Sequence, residues 1–238
     1  MPDIRLEQKY KMNKISILYE DDEILLVNKE YGVSVQGGAG IAHPLDEELS
    51  KQLGYKIFLV HRLDRETSGI LIVAKNSRAA AKWTNLISTD QVKKEYTALC
   101  FGIPVINGKP CLKGKLSGTV EAHGRVQEAV TFFEVVKTGR VTLEPGEDNA
   151  LCALDISCLH ITLGSGRMHQ IRIQMAKAMC PLLADDKHGN FRMNKKARKI
   201  GVKKLHLAAT RLTVPVEGNS RTFEIPLPEH MERTLSIL

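Results

Sequence analysis

No apolar run in this 238-residue chain is longer than Ile70–Ala74, far short of the roughly 18 to 20 residues that cross a bilayer as a helix. The opening residues, MPDIRLEQKYKMNK, also lack the apolar stretch of a secretory signal. A cytoplasmic protein with no membrane contact is therefore expected. Metal-binding patterns are missing too: none of the eight histidines falls in an HxH or HExxH arrangement, so a metal site has no support. The five cysteines, Cys100, Cys111, Cys152, Cys158 and Cys180, form no CxxC pair and are odd in number. That excludes a zinc knuckle and a complete disulfide framework, and it reads as reduced cysteines in a core. Neither a P-loop, an internal repeat nor a dividing linker is present.

What the chain does have is an ordinary globular composition, 43% hydrophobic and 26% charged, sufficient for a real core. Its charge is unevenly placed. The formal net charge is +7, and the segment Arg192–Lys204 alone carries seven basic residues (Arg192, Lys195, Lys196, Arg198, Lys199, Lys203 and Lys204) and no acid. The whole excess is local. Such a stretch suits a polyanion, with a solvated surface loop or helix as the alternative.

Hydrophobic patterning predicts an α+β protein. Residues 1–13 are polar and patternless and read as a flexible tail, leaving 14–238 as one domain. ISILYE and EILLVNKE flank a turn-like Asp21-Asp22 and predict a hairpin. Leu45, Leu49 and Leu53 mark a short amphipathic helix closed by Gly54, and RAAAKWTNLIS marks another that Asn76 or Ser77 can cap. IFLV, ILIVAK, VKKEYTALCFG, AVTFFEVV, LCALDISCLHITL, LHLAATRLTV and RTFEIPL read as strands, and GRVTLEPGEDNA as a turn-rich excursion. Met168, Ile171, Met175 and Met179 recur at helical spacing before Pro181, and PEHMERTLSIL reads as a closing helix. Many strands joined by short turns favour a central mixed, mainly antiparallel β-sheet flanked by helices and loops.

Two segments could carry chemistry. HRLDRETSG, His61–Gly69, is dense in ionisable groups and is anchored at both ends by strands, so its side chains sit on a rigid scaffold. A surface turn with incidental ion pairs is the alternative. GSGRMHQIR, Gly164–Arg172, turns a strand into a helix, whose free N–H groups favour anions. Tyr96 lies in the strand KKEYTALCFG, either as a core aromatic or as a platform for a ligand ring.

Taken in order, HRLDRETSG with ILIVAKN, KKEYTALCFG, GSGRMHQIRIQMA with PLLADDKHGN, and LHLAATRLTVP resemble the motif set of the RluA-type pseudouridine synthases, from about Ile15 to Leu227. The resemblance implies the pseudouridine synthase fold, an isomerase acting on uridines of ribosomal or transfer RNA, a basic RNA cleft, and no cofactor or metal. The family's catalytic aspartate falls on Asp64, and a carboxylate is already ionised at neutral pH, so it needs no separate base to act as a nucleophile. Attack at the ribose anomeric carbon, attack at carbon 6 of the ring, and assisted loss of the ribose 2′ proton are all open as first steps. Arg172 matches the basic partner of the aspartate, Tyr96 the tyrosine that packs on the target ring, and Arg62 the arginine that helps unstack the nucleotide. Leu205 resembles the apolar residue on the far side of the pocket. His61, Arg167, His169 and Gln170 complete the expected substrate contacts.

The chain departs from the family at Lys29-Glu30-Tyr31-Gly32, where Lys-Pro-x-Gly is usual, at Val35-Gln36, where a His-Pro is usual, at Met168 for a threonine, and at Lys187-His188 for a tyrosine before Gly189. An N-terminal S4-like RNA-binding module does not fit before Ile15, so recognition falls to the catalytic domain, acting as a monomer, or to a partner. Two rivals are weighed: an RNA-binding protein of the same fold without catalysis, and an unrelated phosphate-ester enzyme using the GSGR turn.

Overall fold

The computed structural model describes residues 14–122, 124–143, 152–216 and 218–238. The expected tail and the EPGEDNA part of the turn-rich excursion lie outside these residues. The hairpin is present as β1 (Ser16–Glu20) and β2 (Ile24–Lys29). Its turn is fixed by Asp21, whose Oδ1 accepts the N–H groups of Glu23 and Ile24 at 2.8 and 2.7 Å. Helix α1 (Leu45–Leu53) ends where Gly54 turns left-handed, and after β3 (Phe58–Leu59) and β4 (Ser68–Ala74) comes α2 (Ser77–Ser88), capped by the Asn76 side chain on Ala79 N–H.

The chain continues through β5 (Lys93–Phe101), a minor hairpin of β6 (Val105–Ile106) and β7 (Lys109–Pro110), and then β8 (Lys113–Ala122) and β9 (Arg125–Leu143). Strand β9 runs 19 residues, so the GRVTL part of the expected excursion is strand, held on both sides by neighbours. Next are β10 (Cys152–Leu163), α3 (Gln170–Lys177), α4 (Phe191–Ala197), β11 (Leu207–Val216), β12 (Asn219–Glu224) and α5 (Glu229–Ser236). Helix α3 is shorter than the methionine spacing predicts. Met168 precedes it, and Met179 lies beyond it with φ of 58° and 73% exposure, because the chain turns back after Ala178 to bring Cys180 and Leu182 into the core.

Apart from the separate β6–β7 hairpin, these strands form one ten-stranded sheet in the order β1-β2-β4-β11-β5-β10-β9-β8, with β3 also on β4 and β12 also on β11. All its pairings are antiparallel except β4 with β11, as expected for a mixed, mainly antiparallel sheet. Alternate residues face opposite ways and both faces are covered, which is why ILLV and ILIVA read as unbroken apolar runs. Leu71, Val73, Tyr96, Ala98, Leu159 and Ile161 pack under α1 and α3 on one face. On the other, Ile70 and Ile72 meet Ala79 and Trp83 of α2, while Leu99 and Phe101 meet Met231 of α5.

The parallel contact is short. Strands β4 and β11 touch only where Ser68 and Gly69 face Ala208 and Ala209, then diverge, β4 toward β3 and β11 toward β12. The sheet therefore forks, and the loop from β3 to β4 sits at the fork. Gly69 makes the contact possible: its φ is 121°, and a Cβ there would lie 2.6 Å from Ala209 N and against its carbonyl. We expect Gly69→Ala to cost more than about 3 kcal/mol, since left-handed strain is joined by a clash with backbone. Gly54→Ala, with φ of 77° and open space around it, should cost only about 1 kcal/mol. Urea denaturation of both variants checks this, and equal losses would show that the fork tolerates opening.

Candidate active site

The loop Val60–Thr67 is held before any substrate arrives. His61 accepts the Ile72 N–H on Nε2 at 3.0 Å, filling the gap on β4 between its pairings with β3 and β11. Burial, and then the charge of Lys94, push this imidazole down to about 3, so it stays a neutral acceptor. His61 is thus a strut of the loop and does not line the cleft, contrary to the expected substrate contact. On the other side, the buried Lys29 ammonium donates to the carbonyls of Glu30, Val33 and Arg65 at 3.0, 2.8 and 3.2 Å, and Gly32 N–H donates to the Arg65 carbonyl at 2.8 Å. Burial pushes Lys29 down to about 7, while three carbonyl acceptors oppose the loss of its proton.

Asp64 is aimed by this loop into a cleft of about 210 Å³ lined by Arg62, Leu63, Thr67, Tyr96, Leu163, residues 166–172 and Leu207. A second hollow shares Arg62, Asp64, His169 and Arg172 and extends to Tyr31, Glu66 and Lys187. Seven of the nine expected residues, Arg62, Asp64, Tyr96, Arg167, His169, Gln170 and Arg172, thus line one cleft. Tyr96 is 8% exposed, and its hydroxyl has no hydrogen-bond partner among the described residues. Burial and then the Asp64 charge raise the phenol well above its usual range, so it remains a proton donor. Arg62 is exposed on the rim and makes no hydrogen bond or ion pair among the described residues. Arg167, also exposed, donates through Nε to the Glu128 carbonyl at 3.3 Å.

Arg172 is differently engaged from the simple pair the sequence predicts. Its guanidinium forks onto Asp185, with Nε to Oδ2 at 2.9 Å and Nη2 to Oδ1 at 2.7 Å. Nη2 also reaches Glu66 Oε2 at 3.1 Å, whereas Nη1 stands 3.9 Å from Asp64 Oδ2. Burial alone would raise the Asp185 carboxyl, but the Arg172 bonds and the N–H groups of His188 and Lys187 hold it below the usual carboxylate range. Arg172 therefore sets the field at Asp64 without being its direct hydrogen-bond partner.

Two further expectations are corrected. Gln170 borders the cleft, but its amide is fully occupied: Oε1 accepts from Ser165 and from Arg167 N–H, and Nε2 donates to the Val130 carbonyl and Thr131. It binds the GSGR turn to β9 and has no hydrogen bond left for substrate. Leu205 lies 1% exposed in the core, and the pocket wall is Leu207, the first residue of β11. Three residues with no site role expected from the sequence also stand here: Asp185, His188 and Lys94. Lys94 precedes Tyr96 by two on β5 and shares its face, is 7% exposed, and makes no hydrogen bond or salt bridge among the described residues. Its Nζ lies 3.6 Å from where a Cβ on Gly166 would sit. Strand alternation about Tyr96 was the available signal for it.

No group of metal-ligating side chains is found among the described residues, and no described helix is long and apolar enough to cross a membrane. The family model described as RNA pseudouridylate synthase matches residues 23–177. The chain is 30% identical to ribosomal large subunit pseudouridine synthase C of Rickettsia conorii, over 98% of this chain and 75% of that protein. It is 32% identical to the protein of the same name from Salmonella typhi, over 93% and 69%. Its fold resembles human RNA Pseudouridylate Synthase Domain Containing 4, with a TM-score of 0.71 at 22% identity, covering 93% of this chain and 92% of that one. By matched span, motif order and sheet, the chain belongs to the RluA-type RNA pseudouridylate synthases, isomerases that convert uridine to pseudouridine in RNA.

Proposed function

We propose that this protein isomerises uridines of large-subunit ribosomal RNA with Asp64 as the catalytic nucleophile, and that residues 14–238 act as one catalytic unit. The observation that carries the reading is the placement of Asp64: a carboxylate inside a cleft with an apolar floor of Tyr96, Leu163, Ile171 and Leu207, and cationic Arg62 and Arg167 at its rim. An apolar floor suits an unstacked pyrimidine ring, and the rim arginines suit its flanking phosphates. Because Arg172 forks onto Asp185, Asp64 keeps a cation nearby without surrendering its oxygens to it. The ribosomal assignment follows the names of the relatives.

The reaction is atom-balanced within the nucleotide. The bond from the anomeric carbon to nitrogen 1 breaks, a bond to carbon 5 forms, carbon 5 loses its proton and nitrogen 1 gains one. A phenol held protonated at Tyr96 passes on its own proton as it receives another, so phenolate need not accumulate. Its ring holds the detached uracil meanwhile.

The RNA path is proposed to continue from Lys187, on the rim of the second hollow, over α4. Asn194 ties that helix to the site loop, its Nδ2 donating to the Asp185 carbonyl at 3.0 Å. Arg192, Lys195, Lys196 and Lys199 are exposed there, while Arg198 is paired with Asp186 at 2.8 Å.

Three tests bear on this reading. Asp64→Asn should fall below about 1% of the wild-type single-turnover rate, with RNA affinity changed only a few-fold. A faster variant removes Asp64 from the nucleophile role, and an inactive wild type that still binds RNA would favour a binding protein. Tyr96→Phe should bind RNA almost normally yet turn over poorly, whereas Tyr96→Ala should also lose roughly 1 to 3 kcal/mol of stacking. Full turnover by the Phe variant would reduce Tyr96 to a packing surface. Replacing Arg192, Lys195, Lys196 and Lys199 together by Gln should flatten the dependence of log K on log salt by about 0.7 to 0.9 per lost phosphate contact. An unchanged slope would put α4 outside the RNA path.

A further inference from the structure

His188, in the loop before α4, has a definite partner. Its Nε2 lies 2.8 Å from Nδ1 of His169, with the two rings nearly perpendicular at 73°. The other nitrogen of His169, Nε2, lies 3.7 Å from Oδ2 of Asp64. A row of His188, His169 and Asp64 therefore ends on the proposed nucleophile.

A contact of 2.8 Å between two imidazole nitrogens holds one hydrogen, so there are two neutral ways to fill it. If His169 donates through Nδ1, its Nε2 presents a lone pair to the Asp64 oxygen, and two acceptors face each other. If His188 donates through Nε2, His169 carries its own hydrogen on Nε2 and presents it to Asp64. Only the second arrangement is attractive at both contacts. An imidazolium at His169 is opposed by the surroundings. Partial burial, with the charges of Arg172 on α3 and Lys187 on the following loop, presses both histidines below their usual range, against the opposing pull of Asp64 and Asp185. Glu66 and Arg62 border the same hollow.

Neither ring is free to wander. His169 is the left-handed residue before α3, with φ of 53°, and its carbonyl accepts the Ile173 N–H at 2.9 Å. The His188 N–H donates to Asp185 Oδ1 at 2.9 Å, and Gly189 N–H donates to the Asp185 carbonyl at 3.0 Å. A Cβ on Gly189 would collide with that carbonyl. The turn bearing His188 is thereby fixed to the carboxylate that anchors Arg172.

We propose that His188 is a positioning residue for the isomerisation: it donates to His169 Nδ1 and so fixes His169 as the Nε2–H tautomer that faces Asp64. Asp64 then has an uncharged donor beside it, which orients the carboxylate without neutralising it. The inference rests on the reading of Asp64 as the catalytic nucleophile.

The test combines the tautomer with the rate. Nitrogen-15 NMR of the free full-length protein near pH 7.5 should show His169 protonated on Nε2 and unprotonated on Nδ1. In His188→Leu, which fills similar space and cannot donate, both His169 tautomers should appear. The single-turnover rate on in-vitro-transcribed large-subunit ribosomal RNA should fall on the order of 10-fold with RNA affinity unchanged, as for a misaligned reacting group. In His188→Gln, whose amide nitrogen can occupy the place of Nε2, the single tautomer and most of the rate should return. Finding His169 as the Nδ1–H form in the wild type overturns the proposal, as does a Leu variant with unaltered tautomer and rate. The wild-type spectrum decides even if the Leu variant fails to fold. An active Asp64→Asn enzyme would instead sink the nucleophile reading and leave the tautomer result standing.

Discussion

A guanidinium and a carboxylate buried at 2% and 1% exposure can persist only together, and the rest of this site is arranged around that pair. Removing one partner of such a pair costs on the order of 3 to 5 kcal/mol, because the other is left charged and dry. Arg172 projects from α3 and Asp185 from the loop before α4, so their fork fixes the helix and the loop relative to each other. Two routes then lead from Asp185 to Asp64. One runs through Arg172, and the other through the His188 turn and His169. Asp64 is bracketed by a cation on one side and by an imidazole on the other, both referenced to one carboxylate.

The backbone supplies the second constraint. Because β4 and β11 touch for only two residues and then part, the loop between β3 and β4 emerges at a split in the sheet with a wall on each side. Tyr96 on β5 and Leu207 on β11 form the floor, and the α3 entry forms the far wall. His61 and Lys29 stabilise the loop from within, through backbone groups that strand pairing would otherwise have satisfied.

Much of this was legible in the sequence. Alternation and turn chemistry predicted the mainly antiparallel sheet, both capped helices and the hairpin at Asp21, since these depend on residues close in the chain. Asp64, Tyr96, Arg62 and Arg172 lie in compact motifs, and the structure gathers them around one cleft. What escaped depends on contacts between distant segments. Gln170 and His61 look like substrate ligands in a motif, and only the strands beside them reveal that their polar atoms are already engaged. Leu205 and Leu207 are equally apolar, so the position where β11 begins had to choose between them. Strand β8 gave little pattern of its own and is defined by its pairing with β9, and Asp185 showed no distinction from Asp186 until Arg172 met it.

The position of β11 also dictates an order of assembly. It lies between β4 and β5, yet it is made after both of them and, among the described strands, after all but β12. As the chain leaves the ribosome, β4 and β5 must wait with facing unpaired edges, and the contacts that join them close over a long sequence separation, which is slow. The gap fills only when Leu207–Val216 arrives, and that same strand contributes Leu207 to the floor beside Tyr96. A shortened chain ending near residue 177, although it would contain Asp64, Tyr96 and Arg172, would expose two apolar strand edges and invite association between copies. Completion of the cleft is thus tied to the arrival of β11.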